Sequence, residues 1–161
     1  MKAVFIAQSL IGTSLLQMLA PYFREHDVEV QEIYGHGSEF SLSGDQIAAA
    51  VREAGFLFVG MREVKMSHPY EVVAVRAAAE LQKSIVILAE APRLWLAASD
   101  DGPYFGLTDT VRIGIGAVPP LHVARPLFPD AKFYSFGWED LRRAAPSLPW
   151  LILKILSENE K

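Results

Sequence analysis

Two short apolar segments with an amphipathic segment between them constrain the fold of this chain more than any other feature. Residues 56–61 read FLFVGM and residues 84–89 read SIVILA; both are too short for a helix and typical of buried strands. Residues 69–82 place valine, alanine and leucine among polar residues such as Glu71, which indicates a helix with one apolar face. Strand, helix and strand in succession predict a crossover between two parallel, central strands.

Two further predicted strands, each followed by a predicted helix, precede this unit. Residues 3–7 (AVFIA) are typical of a buried strand. The helix after it is expected to run from Thr13 to about Glu25, and Pro21 is expected to bend it or shorten it to its first two turns. Residues 28–34 (VEVQEIY) alternate between apolar and polar side chains, as a strand nearer the sheet edge does. Ser43 begins a capping box for the next helix.

Three successive strand–helix units specify the α/β fold class. We predict a three-layer Rossmann- or flavodoxin-like domain, with an open parallel sheet of about five to six strands, the strand order 2-1-3-4-5 and helices on both faces. The fifth strand is predicted at residues 111–115 and a sixth at residues 132–136.

The length of the chain, 161 residues, predicts a single Rossmann-like domain spanning residues 1–161. Its last part, residues 147–161, is predicted to be an apolar helix because it contains the run LPWLILKIL. This helix must either pack across the domain or be covered by a second domain or a second copy of the chain.

Composition excludes several classes of function. A net charge of −4 argues against a general nucleic-acid binder, whose surface is basic. The absence of cysteine excludes disulfides and thiolate metal sites and fits a cytoplasmic protein. No window reaches the roughly 18 uncharged apolar residues of a membrane span. The four histidines are scattered, so no metal site is predicted.

In sheets of this kind, ligands bind at the carboxyl ends of the strands, where the strand order reverses, here between strands 1 and 3. The residues predicted to bind a ligand at this edge are Ser9, Gly12, Thr13, His36, Gly60, Arg62 and Arg93, and the predicted catalytic residue is Glu90.

The first of these groups lies in residues 9–14 (SLIGTS), which combine hydroxyls, a glycine and a helix start, as anion-binding loops do. The spacing is similar to the flavodoxin phosphate loop at Ser9, Gly12 and Ser14 but departs from it at Ile11. The alternative is an ordinary capped turn, since serine and threonine are common at helix starts.

The charged candidates also have two interpretations each. Arg62 and Arg93 can clamp a phosphate or carboxylate, or they can pair with neighbouring glutamates. Glu90 directly follows a buried strand, a partly desolvated position that suits a general base, but it also precedes a proline-containing loop. His36, between two glycines, is either a ligand contact or a surface histidine.

Residues 56–95 and 119–138 together resemble the N-terminal half of GT-B-type glycosyltransferases. The shared pattern is an apolar strand (FLFVGM), an alanine-rich helix (EVVAVRAAAEL) and a strand with an acidic turn (IVILAEAP). Residues 123–138 (VARPLFPDAKFYSFGW) are similar to the segment that closes this half, and residues 19–22 (LAPY) lie where such enzymes often have a proline-bent helix.

The resemblance implies a domain that binds a small-molecule or glycan acceptor, with Glu90 at the position most like a catalytic base. In such enzymes a second Rossmann-like half holds the nucleotide-sugar, so that cofactor is expected only if another domain or subunit supplies its site. Alone, the domain is expected to be a glycosyltransferase fragment or subunit without activity. Residues 147–161 would then be an interdomain crossing helix or a dimer surface.

Two other functions compete with this one. A flavodoxin-like module would use residues 9–14 to bind a phosphate-bearing ligand such as FMN or a nucleotide. A non-enzymatic assembly domain would use the sheet as a scaffold and the apolar C-terminal helix as its contact surface.

Overall fold

A computed structural model describes residues 1–35, 42–63, 68–91, 110–117 and 132–159. Six strands form one sheet in the order β2-β1-β3-β4-β5-β6. The strands are β1 Lys2–Ala7, β2 Glu29–Tyr34, β3 Phe56–Glu63, β4 Ser84–Ala91, β5 Thr110–Ala117 and β6 Lys132–Gly137. The helices are α1 Leu10–Glu25, α2 Gly44–Glu53, α3 Pro69–Glu80, α4 Trp138–Ala144 and α5 Leu148–Asn159.

The predicted α/β fold class and strand order are confirmed, and the sheet is parallel from β2 to β4. The fifth strand differs from the prediction, because β5 runs antiparallel to β4, and β6 runs antiparallel to β5. A parallel neighbour needs a long crossover, usually a helix, whereas an antiparallel one needs only a loop. The sequence between β4 and β5 is rich in turn-forming residues and lacks a helical pattern, which agrees with the observed direction.

Side chains alternate between two apolar cores, one on each face of the sheet. On the face that we call the α1 face, Phe5, Phe58 and Leu88 pack with α1 and α5. On the opposite α3 face, Leu57 and Ile87 pack with α2 and α3. Helices cover both faces, which agrees with the unbroken apolar segments 56–59 and 85–89 of the central strands.

The first helix begins earlier than its sequence predicts and ends at Glu25, as predicted. Ser9, not a residue near Thr13, is the N-cap, and the helix continues through Pro21 to Glu25. The expected shortening at Pro21 is therefore wrong. Pro21 and Gln17, one turn before it, are both exposed, so water can satisfy the carbonyl that the proline ring leaves without an N–H partner. The capping box of Ser43 and Gln46 is confirmed at the start of α2.

The apolar C-terminal helix packs across the domain. Leu148, Ile152, Ile155 and Leu156 of α5 are buried in the core of the α1 face. Trp150, on the other side of α5, stays 59 % exposed. None of the helices that the structure describes is long and apolar enough to cross a membrane.

Candidate functional site

The parallel strands β1, β3 and β4 end at one edge of the sheet, which we call the carboxyl edge. The strand order reverses between β1 and β3, since β2 lies on one side of β1 and β3 on the other. Because α1 follows β1 on one face and α3 follows β3 on the opposite face, their N-termini flank this position. This is where open α/β sheets bind ligands.

The start of α1 is held by its own cap and by close packing on β3. Ser9 Oγ accepts a hydrogen bond from the Gly12 N–H at 3.0 Å, and the Ser9 carbonyl accepts one from Thr13 N–H at 3.0 Å. A Cβ atom on Gly12 would overlap the carbonyl of Gly60, and one on Gly60 would overlap the carbonyl of Gly12. The structure thus brings Ser9, Gly12, Thr13 and Gly60 together, with the glycines allowing α1 to approach β3.

On the α1 face of this edge, two buried oxygens have no hydrogen-bond partner among the described residues: Thr13 Oγ1 and Glu90 Oε2. Thr13 lies in the first turns of α1. Glu90 follows Leu88 by two positions in β4, so alternation places it on the α1 face as well. A buried polar group without a partner costs about 1–3 kcal/mol, and such groups call for a ligand, a water or a catalytic explanation.

Arg62 is exposed at the same edge. The register Met61↔Ala89 and Glu63↔Ala91 places Arg62 beside Glu90 on the neighbouring strand, and both lie on the α1 face. Among the ion pairs of the described residues, none joins Arg62 to Glu90. Arg62 and Glu90 are thus neighbours across two strands and are not ion-paired with each other.

Gln8 and Glu71 form a buried pair on the α3 face that joins the end of β1 to the start of α3. Gln8 Oε1 accepts from the Tyr70 N–H at 2.7 Å and from the Glu71 N–H at 3.3 Å. In return, Glu71 Oε1 accepts from the Gln8 N–H at 2.9 Å. His68, the N-cap residue of α3, provides no side-chain cap. Gln8 therefore caps α3 from a distant part of the chain, in the reciprocal manner of a capping box.

Glu71 is fully buried, and burial raises its pKa to about 7, although the hydrogen bond from Gln8 acts in the opposite direction. Its second oxygen, Oε2, has no hydrogen-bond partner within the described part of the chain. The interpretation of Glu71 as a residue of the polar helix face is wrong. Its spacing to Ala74, Val75 and Ala78, all buried, is the i, i+3, i+4, i+7 pattern that reveals the apolar face.

Two predicted site residues, His36 and Arg93, lie outside the described residues. Within the described ranges, no group of three or more histidine, aspartate or glutamate side chains is arranged to hold a metal ion.

Fold and site together define a Rossmann-like α/β domain with polar groups at the carboxyl edge of its sheet. Comparison of the sequence with protein-family models gave no match, and comparison with curated proteins gave no significant match. The resemblance to GT-B-type glycosyltransferases consequently stays a prediction.

Proposed function

We propose that the carboxyl edge binds a hydroxyl-bearing ligand, and that the chain acts as the acceptor-binding half of a GT-B-like glycosyltransferase. The observation that carries this proposal is the pair of buried oxygens without partners, Thr13 Oγ1 and Glu90 Oε2, at the edge where such sheets bind ligands.

The chemistry of these groups favours a polyol over an anion. An ionised carboxylate only accepts hydrogen bonds, and a threonine hydroxyl both donates and accepts. Saccharide hydroxyls supply both kinds of partner. Glu90 would repel a phosphate at short range, and it would take the proton from an acceptor hydroxyl when a sugar is transferred.

The other parts of the proposal concern partners and location. The nucleotide-sugar would bind to a second domain or subunit, so the domain alone binds the acceptor without transferring a sugar to it. A second copy or second domain would contact residues 147–161. The compartment would be the cytoplasm, in keeping with a chain that has no cysteine.

A phosphate-binding module is the second candidate, and Arg62 is the observation that favours it. The Arg62 side chain is exposed at the edge, near the N-terminus of α1. Guanidinium groups and helix N-termini both attract anions. Against this candidate, Ser9 Oγ already accepts the Gly12 N–H, and Glu90 lies beside Arg62 on the adjacent strand.

Ligand-observed NMR with two panels separates the candidates. One panel contains methyl glucoside, methyl galactoside and N-acetylglucosamine; the other contains FMN, UDP and UDP-glucose. We expect binding of at least one saccharide, weakened about fivefold or more by Thr13→Val and by Glu90→Gln. Gln17→Ala and Glu80→Gln, which change exposed side chains, are the matched controls.

The opposite pattern would overturn the acceptor proposal. Binding of FMN or UDP that Arg62→Met abolishes, with no saccharide bound, would establish the phosphate module instead. UDP-glucose should bind no more tightly than methyl glucoside, because the proposed domain recognises the acceptor and not the nucleotide.

A further inference from the structure

We propose that Glu71 is a positioning residue for the carboxyl-edge site, which holds the β1–α1 connection through the Gln8 N–H and makes ligand affinity depend on its protonation. The identity of the ligand rests on the proposed function, but the positioning role does not.

The connection that Glu71 holds is short and leads directly into the site. β1 ends at Ala7, Gln8 and Ser9 form the link, and α1 begins at Leu10. Glu71 Oε1 lies 2.9 Å from the Gln8 nitrogen. Ser9, the next residue, caps α1, and Thr13 lies one turn further on. A change at the Gln8 N–H therefore moves the cap and the threonine hydroxyl together.

Burial makes this hydrogen bond sensitive to charge. Gln8 is 5 % exposed and Glu71 is 0 % exposed, so water competes little for the bond. The Gln8 N–H is the one hydrogen-bond donor to the Glu71 carboxyl among the described residues. A carboxylate accepts a stronger hydrogen bond than the neutral acid does, so ionisation tightens the link between α3 and the β1–α1 connection. Since burial raises the pKa of Glu71 to about 7, the change falls near neutral pH.

Other charged groups lie on the elements packed against α3, and one of them, Glu63, is the last residue of β3 at the carboxyl edge. Lys2 of β1 is at the opposite end of the sheet and pairs with Glu29 and Glu53, and Arg62 and Glu90 lie on the α1 face. The remaining charged or titratable side chains of α2, α3 and the start of β4 are Asp45, Arg52, His68, Tyr70, Arg76, Glu80 and Lys83. The causes that set the pKa of Glu71 are burial and the hydrogen bond from Gln8, and none of these charges is among them.

His68 is an ionisable residue close to Glu71 and calls for a control. It is the N-cap residue of α3, three positions before Glu71. His68→Gln therefore serves as one control. Glu80→Gln, an exposed carboxyl on the same helix, serves as the other.

The first experiment needs no ligand. Amide resonances of Gln8, Ser9, Gly12 and Thr13 are followed by ¹⁵N-NMR through neutral pH in the wild-type chain. We expect them to titrate together with an apparent pKa of about 7, and to do so in His68→Gln and Glu80→Gln as well. In Glu71→Gln, which keeps an acceptor oxygen but cannot ionise, the shared titration should vanish.

The second experiment uses the saccharides of the panel above. Affinity should be roughly fivefold higher above neutral pH than below it in the wild type, and independent of pH in Glu71→Gln. A flat wild-type amide titration, or one that persists in Glu71→Gln, overturns the positioning role. If the amides titrate as expected and no saccharide binds, the positioning role stands and the proposed ligand class fails.

Discussion

Gly12 and Gly60 are in direct backbone contact, and neither position has room for a side chain. An added Cβ on Gly12 would overlap the Gly60 carbonyl and lie 2.8 Å from Ser9 Oγ; one on Gly60 would overlap the Gly12 carbonyl and lie 2.7 Å from Leu16 Cγ. This contact fixes the first turn of α1 against the end of β3. It therefore sets the geometry of the edge at which Thr13 is presented.

The first prediction concerns stability. An alanine within a helix is normally more favourable than a glycine by about 1 kcal/mol. At position 12 the sign should reverse, because overpacking a tight contact typically costs about 1–3 kcal/mol. Gly12→Ala is therefore expected to lower the free energy of unfolding, measured by urea denaturation.

Gly44→Ala is the control for this substitution. Gly44 is also helical, at the start of α2, but its added Cβ would lie 3.8 Å from the Val73 methyl groups, an ordinary contact. We expect no loss of stability there. Equal effects of the two substitutions would contradict the special role of the contact between Gly12 and Gly60.

The second prediction is a pH dependence of stability caused by Glu71. Its pKa rises from 4.5 to about 7 on folding, so the folded chain binds more protons than the unfolded chain between these values. The stabilisation is complete below pH 4.5, is lost as the pH rises to 7, and changes no further above that. The difference between the two pKa values corresponds to roughly 3 kcal/mol.

Thermal or urea unfolding at a series of pH values measures this effect. The stability of the wild type relative to Glu71→Gln should fall across the window from pH 4.5 to 7. Relative to Glu80→Gln, the wild type should show no such trend, because Glu80 is exposed. A constant difference between the wild type and Glu71→Gln would show that Glu71 has the same pKa in the folded and unfolded chains.

The third prediction tests Gln8 as the cap of α3. Gln8→Ala removes the acceptor for the Tyr70 and Glu71 N–H groups, so it should lower the free energy of unfolding by about 1–3 kcal/mol. Gln17→Ala, an exposed position in α1, should be neutral within about 0.5 kcal/mol. Hydrogen exchange at Tyr70 and Glu71 locates the effect. Unchanged protection there in Gln8→Ala would disprove the capping role.

The fourth prediction separates function from stability at Thr13. Thr13→Val keeps the shape of the side chain and removes a buried hydroxyl that has no partner among the described residues. The variant should be as stable as the wild type or more stable, by up to about 1–2 kcal/mol, while it binds saccharides more weakly. On the same sample, urea denaturation measures the stability and ligand-observed NMR measures the saccharide binding. A loss of stability would instead mean that the hydroxyl has a structural hydrogen bond.

Local patterns predicted most of the fold because each apolar run is long enough to identify its element. The runs in β3 and β4 and the capping box at Ser43 depend only on neighbouring residues, and the structure has them where the sequence predicts them. The direction of β5 depends on how the chain returns to the sheet after β4. Apolar content alone carries no information about that direction.

The sequence predicts where in the fold the site lies, but only some of the residues that form it. The strand order identifies the carboxyl edge, and Ser9, Gly12, Thr13, Gly60, Arg62 and Glu90 lie along it. Gln8 was expected at this edge, but its pairing with Glu71 was missed because the hydrogen bond joins residues 63 positions apart. A glutamate in the first turn of a helix is ordinarily exposed and stabilised by the helix dipole, and only the helical spacing of Glu71 indicates its burial.

The fifth prediction distinguishes the two sides of α5. Ile152 is fully buried in the core of the α1 face, so Ile152→Ala should cost about 2–5 kcal/mol of stability. Trp150 is 59 % exposed, and its described contact is with the Lys154 ammonium, 5.1 Å from the ring centroid. Trp150→Ala should therefore cost less than about 1 kcal/mol, as measured by urea denaturation.

The same two variants test whether residues 147–161 contact a second copy of the chain. An exposed tryptophan at an interface usually contributes strongly to binding, so Trp150→Ala should weaken self-association while the fold stays intact. Sedimentation velocity over a range of concentrations measures this. Ile152→Ala, in contrast, should alter association only in proportion to the unfolded fraction, because its side chain is inside the domain. A wild type that stays monomeric at every concentration would remove the homodimer from the proposal and leave α5 as a covering helix of its own core.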